Sequence, residues 1–110
     1  MVKLTPVIEV LVVLGVLEMN RKELLETAEN IVMGARTVNY GSPEANFQRI
    51  ADLWNVYLGT ELHPADVAIM MILMKIARLQ NNIRHEDSWV DIAGYAANGA
   101  ELTDEGDSDA

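Results

Sequence analysis

The stretch "ADVAIMMILMKIARL", residues 65–79, decides the fold class of this chain. It contains no ionisable side chain between Asp66 and Lys75, and its apolar residues fall on nearly every side of a helix. A surface helix shows one apolar stripe, whereas a helix that is apolar all round is typical of an enclosed position. We therefore predict a central helix with four deeply buried side chains, those of Met70, Leu73, Ile76 and Ala77.

Two further helices are predicted before this segment from their capping residues. Asn20 followed by Glu23 has the spacing of a capping box, and Ser42 followed by Pro43 has the pattern of an N-cap with proline at the first helical position. Gly59 is a typical residue for ending the second of these helices. The apolar stripe of the first is predicted to be Leu24, Leu25, Ala28, Ile31, Val32 and Ala35. The second is predicted to bury Phe47, Ile50, Ala51, Trp54, Tyr57 and Leu58.

A fourth helix is predicted to start at Asp87 or Ser88. It carries an apolar stripe on one face, formed by Trp89, Ile92, Ala93, Ala96, Ala97 and Ala100. With 110 residues, half of them hydrophobic and few of them aromatic, the chain has the composition of one helical domain. The sequence thus predicts an all-α, four-helix bundle-like single domain over residues 20–101.

Residues 1–19 and 102–110 flank this domain and have a different composition. The first segment contains "VIEVLVVLGVL" (7–17), which includes Glu9 and is shorter than the about 20 apolar residues that a membrane span needs. We expect it to be a buried strand or helix, or an arm that forms a homo-oligomer, and we expect no membrane association. The second segment is a short acidic tail, ending in "TDEGDSDA", that has nothing to bury.

The charge balance and the lack of cysteine exclude several classes of function. The net charge is −9, from 17 acidic and 8 basic residues, and no cluster of Lys or Arg is present, so we expect no binding to duplex DNA. An acidic surface favours a basic partner or divalent cations. Without cysteine the chain has no disulfide, thiolate zinc site or cysteine nucleophile, which fits a reducing cytoplasm.

One constellation carries possible chemistry, at the junction of the third and fourth helices. At 100° per residue, Asp87, Asp91, Gly94, Tyr95 and Asn98 share one face of the fourth helix, opposite its alanine stripe. Lys75 and Arg78 lie one turn apart near the end of the third helix. A short loop between these helices makes them antiparallel neighbours, which brings the basic pair near the acidic pair.

Two interpretations of this constellation stay open. In the structural one, Asp87 and Ser88 cap the fourth helix, and Lys75 or Arg78 forms ion pairs that orient two helices. In the functional one, Asp87 and Asp91 hold Mg²⁺, which takes one or two carboxylates together with substrate phosphates. The candidate substrate-binding residues are then Lys75, Arg78, Tyr95, Asn98, Tyr40 and Asn46.

Three stretches carry a resemblance to known proteins: "YGSPEANF" (40–47), "DVAIMMILMKIARL" (66–79) and "DSWVDIAGYAANGAE" (87–101). Together they resemble a family of small, uncharacterised helical proteins encoded by phages and prophages. The resemblance covers about residues 20–101 and implies a helical protein in the cytoplasm of the host cell.

A more distant likeness is to the all-α nucleotide pyrophosphohydrolases of the MazG type. "EDSWVDIAGYA" looks like their second metal motif, with Asp91 as the closing aspartate. This likeness implies Mg²⁺-dependent handling of a nucleotide. Ser88 stands where that family has a glutamate, and Lys75 and Arg78 stand where its first pair of acidic residues is expected.

The sequence is therefore compatible with three functions. The first is a phage-type accessory protein that binds a nucleotide or cleaves a nucleoside triphosphate to release pyrophosphate. The second is an acidic helical module that binds a host or phage protein, for example against a defence system. The third is a small oligomeric protein with a structural role and no catalysis.

Overall fold

The structure is a computed structural model that describes residues 19–34 and 41–103, and these residues form four helices. They are α1 (Arg21–Met33), α2 (Pro43–Leu58), α3 (Pro64–Asn81) and α4 (Glu86–Leu102). The predicted all-α, bundle-like single domain is confirmed. No helix within the described ranges is long and apolar enough to cross a membrane. Residues 1–18 of the predicted arm (1–19) lie outside the described residues, so the roles predicted for the arm stay predictions.

The helix ends follow the capping residues that the sequence predicts. The Asn20 side chain accepts a hydrogen bond from the backbone N–H of Glu23 (2.8 Å), and the Ser42 hydroxyl accepts one from the N–H of Ala45 (3.1 Å). Gly59 ends α2 in the left-handed conformation, with φ 67°, which glycine adopts without strain. The starts of α1 and α2 and the end of α2 are therefore set by residues close in the sequence and need no contact between helices.

One side chain, that of Asn55, makes three hydrogen bonds to the loop between α2 and α3. The amide of Asn55 donates to the carbonyl oxygen of Leu62 (3.0 Å), and its oxygen accepts from the N–H of Leu62 (2.7 Å). Its oxygen also accepts from the hydroxyl of Thr60 (2.9 Å). The Asn55 side chain therefore satisfies both the N–H and the C=O of Leu62, a loop residue whose backbone groups have no partner in a helix or a strand.

The start of α4 differs from the prediction. The helix begins at Glu86, with His85 as the residue before its first turn, so Asp87 and Ser88 lie inside the helix and neither is the N-cap. The Ser88 side chain is fully buried and lies 2.6 Å from Nδ1 of His85. Because Ser88 is packed in the interior and paired with His85, it is not placed to accept a bond from the following turn.

α3 packs against both α4 and α2, most extensively against α4, and α4 likewise packs against two helices, α3 and α1. α1 packs mainly against α4. The core lies where α2, α3 and α4 meet, and its buried members are Phe47, Ala51, Val67, Ala68 and Leu102. Leu102, which was predicted to begin the acidic tail, is instead the last residue of α4 and is buried.

The prediction that α3 is enclosed on all sides is wrong. Its buried residues are Val67, Ala68, Lys75 and Leu79, all towards α2 and α4. Leu73 is 58% exposed and Ile76 is 41% exposed, Ala77 is exposed and Met70 is half-buried. The physical reason is that α2 and α4 cover only part of the circumference of α3, and no other described helix packs extensively on the rest.

Part of the predicted apolar stripes also lies at the surface. On α2, Phe47 and Ala51 are buried as predicted, whereas Tyr57 is 88% exposed and Leu58 is 51% exposed. On α1, Ala28 is buried and Leu25 is exposed. Both helices contact only one or two neighbours, so the side chains at the edges of their stripes have no surface to pack against.

The buried face of α4 is the one opposite its predicted alanine stripe. Ala96, Ala97 and Ala100 are exposed, whereas Gly94 and Gly99 are buried. A Cβ atom on Gly99 would lie 2.9 Å from the Cβ of Ala68, so the absence of a side chain lets α3 and α4 approach closely. The glycines thus allow the backbone of α4 to approach its neighbours closely on the inward face.

Candidate functional site

A buried ion pair joins α3 to α4. The Nζ atom of Lys75 lies 2.9 Å from Oδ2 of Asp91, and both side chains are only 10% exposed. The prediction that the end of α3 approaches the start of α4, with a base near an acid, is confirmed for this pair. Two buried charges at this distance neutralise each other, and removing either one would leave the other without a partner in the interior.

Asp91 also lines a cleft of about 300 Å³ to which all four helices contribute, here called the central cleft. Its described lining residues are Ala28, Ile31, Val32, Gly41, Pro43, Asn46, Phe47, Ile50, Met71, Val90, Asp91, Gly94, Tyr95 and Asn98. Most of them are apolar. A concave, mainly apolar site with a few convergent polar groups is the usual form of a small-molecule site.

The walls of the central cleft are set by close helix packing and by two aromatic rings. The rings of Phe47 on α2 and Tyr95 on α4 have centroids 6.2 Å apart and are tilted by 36°. A Cβ atom on Gly94 would lie 3.2 Å from a methyl group of Val32, so α1 packs closely on α4 at this point. The cleft is therefore bounded by an aromatic pair on one side and by an aliphatic helix on the other.

The polar groups of the central cleft are two amides, a phenol and a carboxylate. Asn46 lies on α2, and Asn98, Tyr95 and Asp91 lie on α4. Asp91 carries the one charged side chain among the described lining residues, and Lys75 neutralises it. Amides supply both donors and acceptors, so the site suits an uncharged polar ligand better than an anion.

The structure brings together four of the eight predicted site residues in the cleft, Asp91, Tyr95, Asn98 and Asn46, with Lys75 directly behind them. Arg78 is exposed and lines a separate shallow groove near His85. Asp87 is half-buried in the first turn of α4 and is not among the described lining residues of the cleft. Tyr40 lies outside the described residues.

The predicted Mg²⁺ site gains no support from the donor set. Within residues 19–34 and 41–103, no group of three or more His, Asp or Glu side chains is arranged to hold a metal ion. Oδ2 of Asp91 is already engaged by the ammonium of Lys75. Mg²⁺ at Asp87 and Asp91 therefore stays a prediction.

Sequence reasoning missed the apolar part of the cleft. Phe47 and Ile50 were predicted as core residues and Met71 as a filler of the core and not part of a binding groove, yet all three line the cleft. No sequence signal separates an apolar residue that fills the core from one that borders a cavity. Gly94 was the one available sign, because a glycine inside a helical pattern often marks a place of close packing or function.

Comparisons with known proteins connect the chain to phages. A family model described as Domain of unknown function (DUF6378) matches residues 23–103. The chain is 54% identical over 74 residues to the Gene 55 protein of Mycobacterium phage L5, covering 66% of this chain and 47% of that protein. It is 48% identical over 75 residues to the Gene 55 protein of Mycobacterium phage D29, covering 68% of this chain and 50% of that protein.

The chain thus spans about half the length of the curated relatives it matches. No solved structure matches it. The resemblance to a family of phage-encoded proteins is confirmed, whereas none of these matches supports the likeness to MazG-type enzymes.

Proposed function

The chain belongs to the family described as Domain of unknown function (DUF6378), and on that premise we propose that it is a phage accessory protein that binds the nucleoside part of a nucleotide in the central cleft. The observation that carries this proposal is the composition of the cleft, in which two amides and a carboxylate converge on a mainly apolar space. The similarity to two mycobacteriophage proteins supports the phage setting.

The chemistry of the lining residues matches that of a nucleobase. A base has flat apolar faces and a polar edge with both donors and acceptors, so it needs apolar walls and groups that can satisfy either kind of atom. Tyr95, whose ring lies against the buried ring of Phe47, supplies aromatic surface for stacking, and Asn46 and Asn98 supply amides for the edge. The volume of about 300 Å³ lies at the lower end for ligand sites, which favours a ligand of nucleoside size.

Asp91 has a specific place in this arrangement. Its Oδ2 atom is held by Lys75, which fixes the carboxylate while Oδ1 keeps lone pairs for a ligand N–H. A carboxylate accepts from the exocyclic amino group of a base, as it does in nucleic-acid recognition. Lys75 therefore acts as a positioning residue, and the ligand group that Asp91 selects is a hydrogen-bond donor.

Phosphate groups have less support in the cleft. The charge of Lys75 is taken by Asp91, and Arg78 lines a different groove. A polyphosphate would therefore extend away from the cleft into solvent next to an acidic protein. We accordingly propose binding without hydrolysis, rather than Mg²⁺-dependent pyrophosphate release.

Isothermal titration calorimetry with nucleosides and with their mono- and triphosphates, with and without Mg²⁺, tests the proposal. We expect the wild-type protein to bind at least one nucleoside without Mg²⁺, and Asn98→Ala to lose that binding because one edge contact is removed. Asn81→Ala is the matched control, since Asn81 is an exposed amide on α3 away from the cleft. The absence of binding by any nucleoside or nucleotide would refute the proposal.

The same titrations separate nucleoside binding from the Mg²⁺ alternative. If Asp87 and Asp91 hold the metal, binding or pyrophosphate release appears only with Mg²⁺, and Asp91→Asn abolishes it. That result would replace the nucleoside proposal with a metal-dependent one.

A second candidate function is a module that binds a host or phage protein. It is favoured by three exposed apolar side chains on α2, because Leu53 is 64%, Val56 is 85% and Tyr57 is 88% exposed. Exposed aromatic and aliphatic residues on one helix are typical of protein-binding surfaces. Calorimetry that shows no small-molecule binding would make this the better-supported function.

A further inference from the structure

Three polar side chains of the central cleft follow one another along α4. Asp91, Tyr95 and Asn98 are spaced by four and then three residues, so they share one face of the helix. At about 1.5 Å of rise per residue, the backbone positions of Asp91 and Asn98 lie about 10 Å apart, with Tyr95 between them. A flat ligand that stacks on Tyr95 therefore has a carboxylate towards one end and an amide towards the other.

The polar groups of the cleft keep unused hydrogen-bonding capacity. Within residues 19–34 and 41–103, the amides of Asn46 and Asn98 have no hydrogen-bond partner, and Asp91 is bound through Oδ2 by Lys75 alone. Oδ1 of Asp91 is not enclosed, since in these ranges the one enclosed side-chain nitrogen or oxygen without a partner is Nδ2 of Asn30. Because Asp91 lines the cleft, a ligand there can reach Oδ1.

The acceptor character of Asp91 determines which base edge fits. An ionised carboxylate accepts hydrogen bonds and donates none, and it has about four acceptor sites, of which Lys75 uses one. Guanine is the common base whose Watson–Crick edge carries two neighbouring donors, N1–H and the 2-amino group. Adenine and cytosine have a ring nitrogen that accepts beside their amino group, and uracil has a carbonyl oxygen on each side of its N–H. Each of these three bases would therefore turn an acceptor towards the carboxylate.

The separation of Asp91 and Asn98 favours a purine for a second, independent reason. The fused rings of a purine place N7 at the end away from the N1 edge, where an amide N–H can donate to it. A pyrimidine is shorter by one ring and leaves more of this distance unfilled. The base is also uncharged, so the net charge of −9 does not oppose its binding as it opposes the binding of an anion.

We infer that the central cleft selects guanine. Asp91 accepts from N1–H and from the 2-amino group, Tyr95 stacks on the ring, and Asn98 donates to N7. This inference rests on the proposed function, that the cleft binds a nucleoside, and adds the identity of the base. Asp91 is then the specificity-determining residue.

Isothermal titration calorimetry of the wild-type protein with guanosine, inosine, adenosine, cytidine and uridine tests the inference. Inosine differs from guanosine only in lacking the 2-amino group, so this pair isolates the second donor. We expect guanosine to bind at least about tenfold more tightly than inosine, because a hydrogen bond to a charged acceptor is lost. Adenosine should bind more weakly still, since its N1 lone pair would face the carboxylate.

The outcomes separate this inference from the proposed function. If none of the nucleosides binds, both fail. If nucleosides bind but inosine, adenosine or a pyrimidine nucleoside binds as tightly as guanosine, guanine selection is refuted and nucleoside binding stands. This comparison uses the wild-type protein, so it remains decisive even where a variant of the ion pair does not fold.

Asp91→Asn tests the role of the carboxylate. The amide replaces one acceptor by a donor, so the variant should prefer xanthosine, which carries an oxygen at C2 in place of the amino group. Preference for a new ligand is not an effect of a damaged fold. Asp52→Asn, the same change at an exposed position on α2, is the matched control and should keep the preference for guanosine. A folded Asp91→Asn protein, verified by circular dichroism, that does not prefer xanthosine to guanosine would overturn the inference.

Discussion

Replacing Lys75 with methionine should destabilise the protein far more than the loss of one surface charge. The ammonium lies 2.9 Å from Asp91, and both side chains are 10% exposed, so Lys75→Met leaves a carboxylate in the interior without its partner. Such a change typically costs about 3–5 kcal/mol, because the desolvation penalty of the remaining charge is no longer offset. That is a large part of the about 5–15 kcal/mol that stabilises a typical domain.

The chain contains its own control for this prediction. Lys22 and Glu26 are one turn apart on α1 at 4.0 Å, and the lysine side chain is 82% exposed. An exposed pair of this kind contributes about 0.3–0.5 kcal/mol, so Lys22→Met should leave stability nearly unchanged. Both variants make the same chemical change, and they differ in the burial of the pair.

Urea unfolding followed by circular dichroism measures the difference. We expect a much lower midpoint for Lys75→Met than for Lys22→Met, and recovery of most of the loss in the double variant Lys75→Met/Asp91→Leu, which removes both buried charges. If Lys75→Met unfolds at the wild-type urea concentration, the ion pair is not buried as described. A double variant no more stable than the single one would also refute the reasoning.

Two further predictions concern helix packing and the α2–α3 loop. Gly99→Ala should destabilise the protein by about 1–2 kcal/mol, since its Cβ would lie 2.9 Å from that of Ala68 and the overpacking exceeds the gain in helix propensity. Gly94→Ala, which meets a movable valine methyl at 3.2 Å, should change stability little, and equal melting temperatures for the two variants would contradict this. Asn55→Ala should cost about 1–3 kcal/mol, because both backbone groups of Leu62 lose their partner; an unchanged melting temperature would count against it.

The parts of the fold that were predictable from the sequence are those that depend on neighbours in the chain. The caps at Asn20 and Ser42 are hydrogen bonds across three residues, so the residue types at that spacing suffice to predict them. The Lys75–Asp91 pair was predictable for a related reason, because a short loop requires α3 and α4 to be antiparallel neighbours.

The parts of the fold that were not predictable concern which face of a helix is buried, because this prediction needs a difference in polarity between its faces. α3 has apolar residues on all sides, so nothing in its sequence distinguishes Val67, which is fully buried, from Leu73, which is exposed. On α4 the usual rule, that the apolar face of a helix is buried and the polar face is exposed, predicts the wrong face. The buried face holds Asp91, which Lys75 neutralises, and two glycines. Side-chain polarity alone cannot reveal a charge whose partner comes from another helix.

The central cleft has a consequence for the order in which the molecule assembles. Its walls come from Ala28 on the first helix and Asn98 on the last, whereas α2 and α3 meet through the short loop that Asn55 fastens. Contacts between segments close in the chain form early in folding, and contacts that close a long loop carry a larger entropic cost. No single helical hairpin contains the cleft, and we therefore expect it to be among the last features to form, so that a proposed ligand would bind only to a chain that has completed its fold.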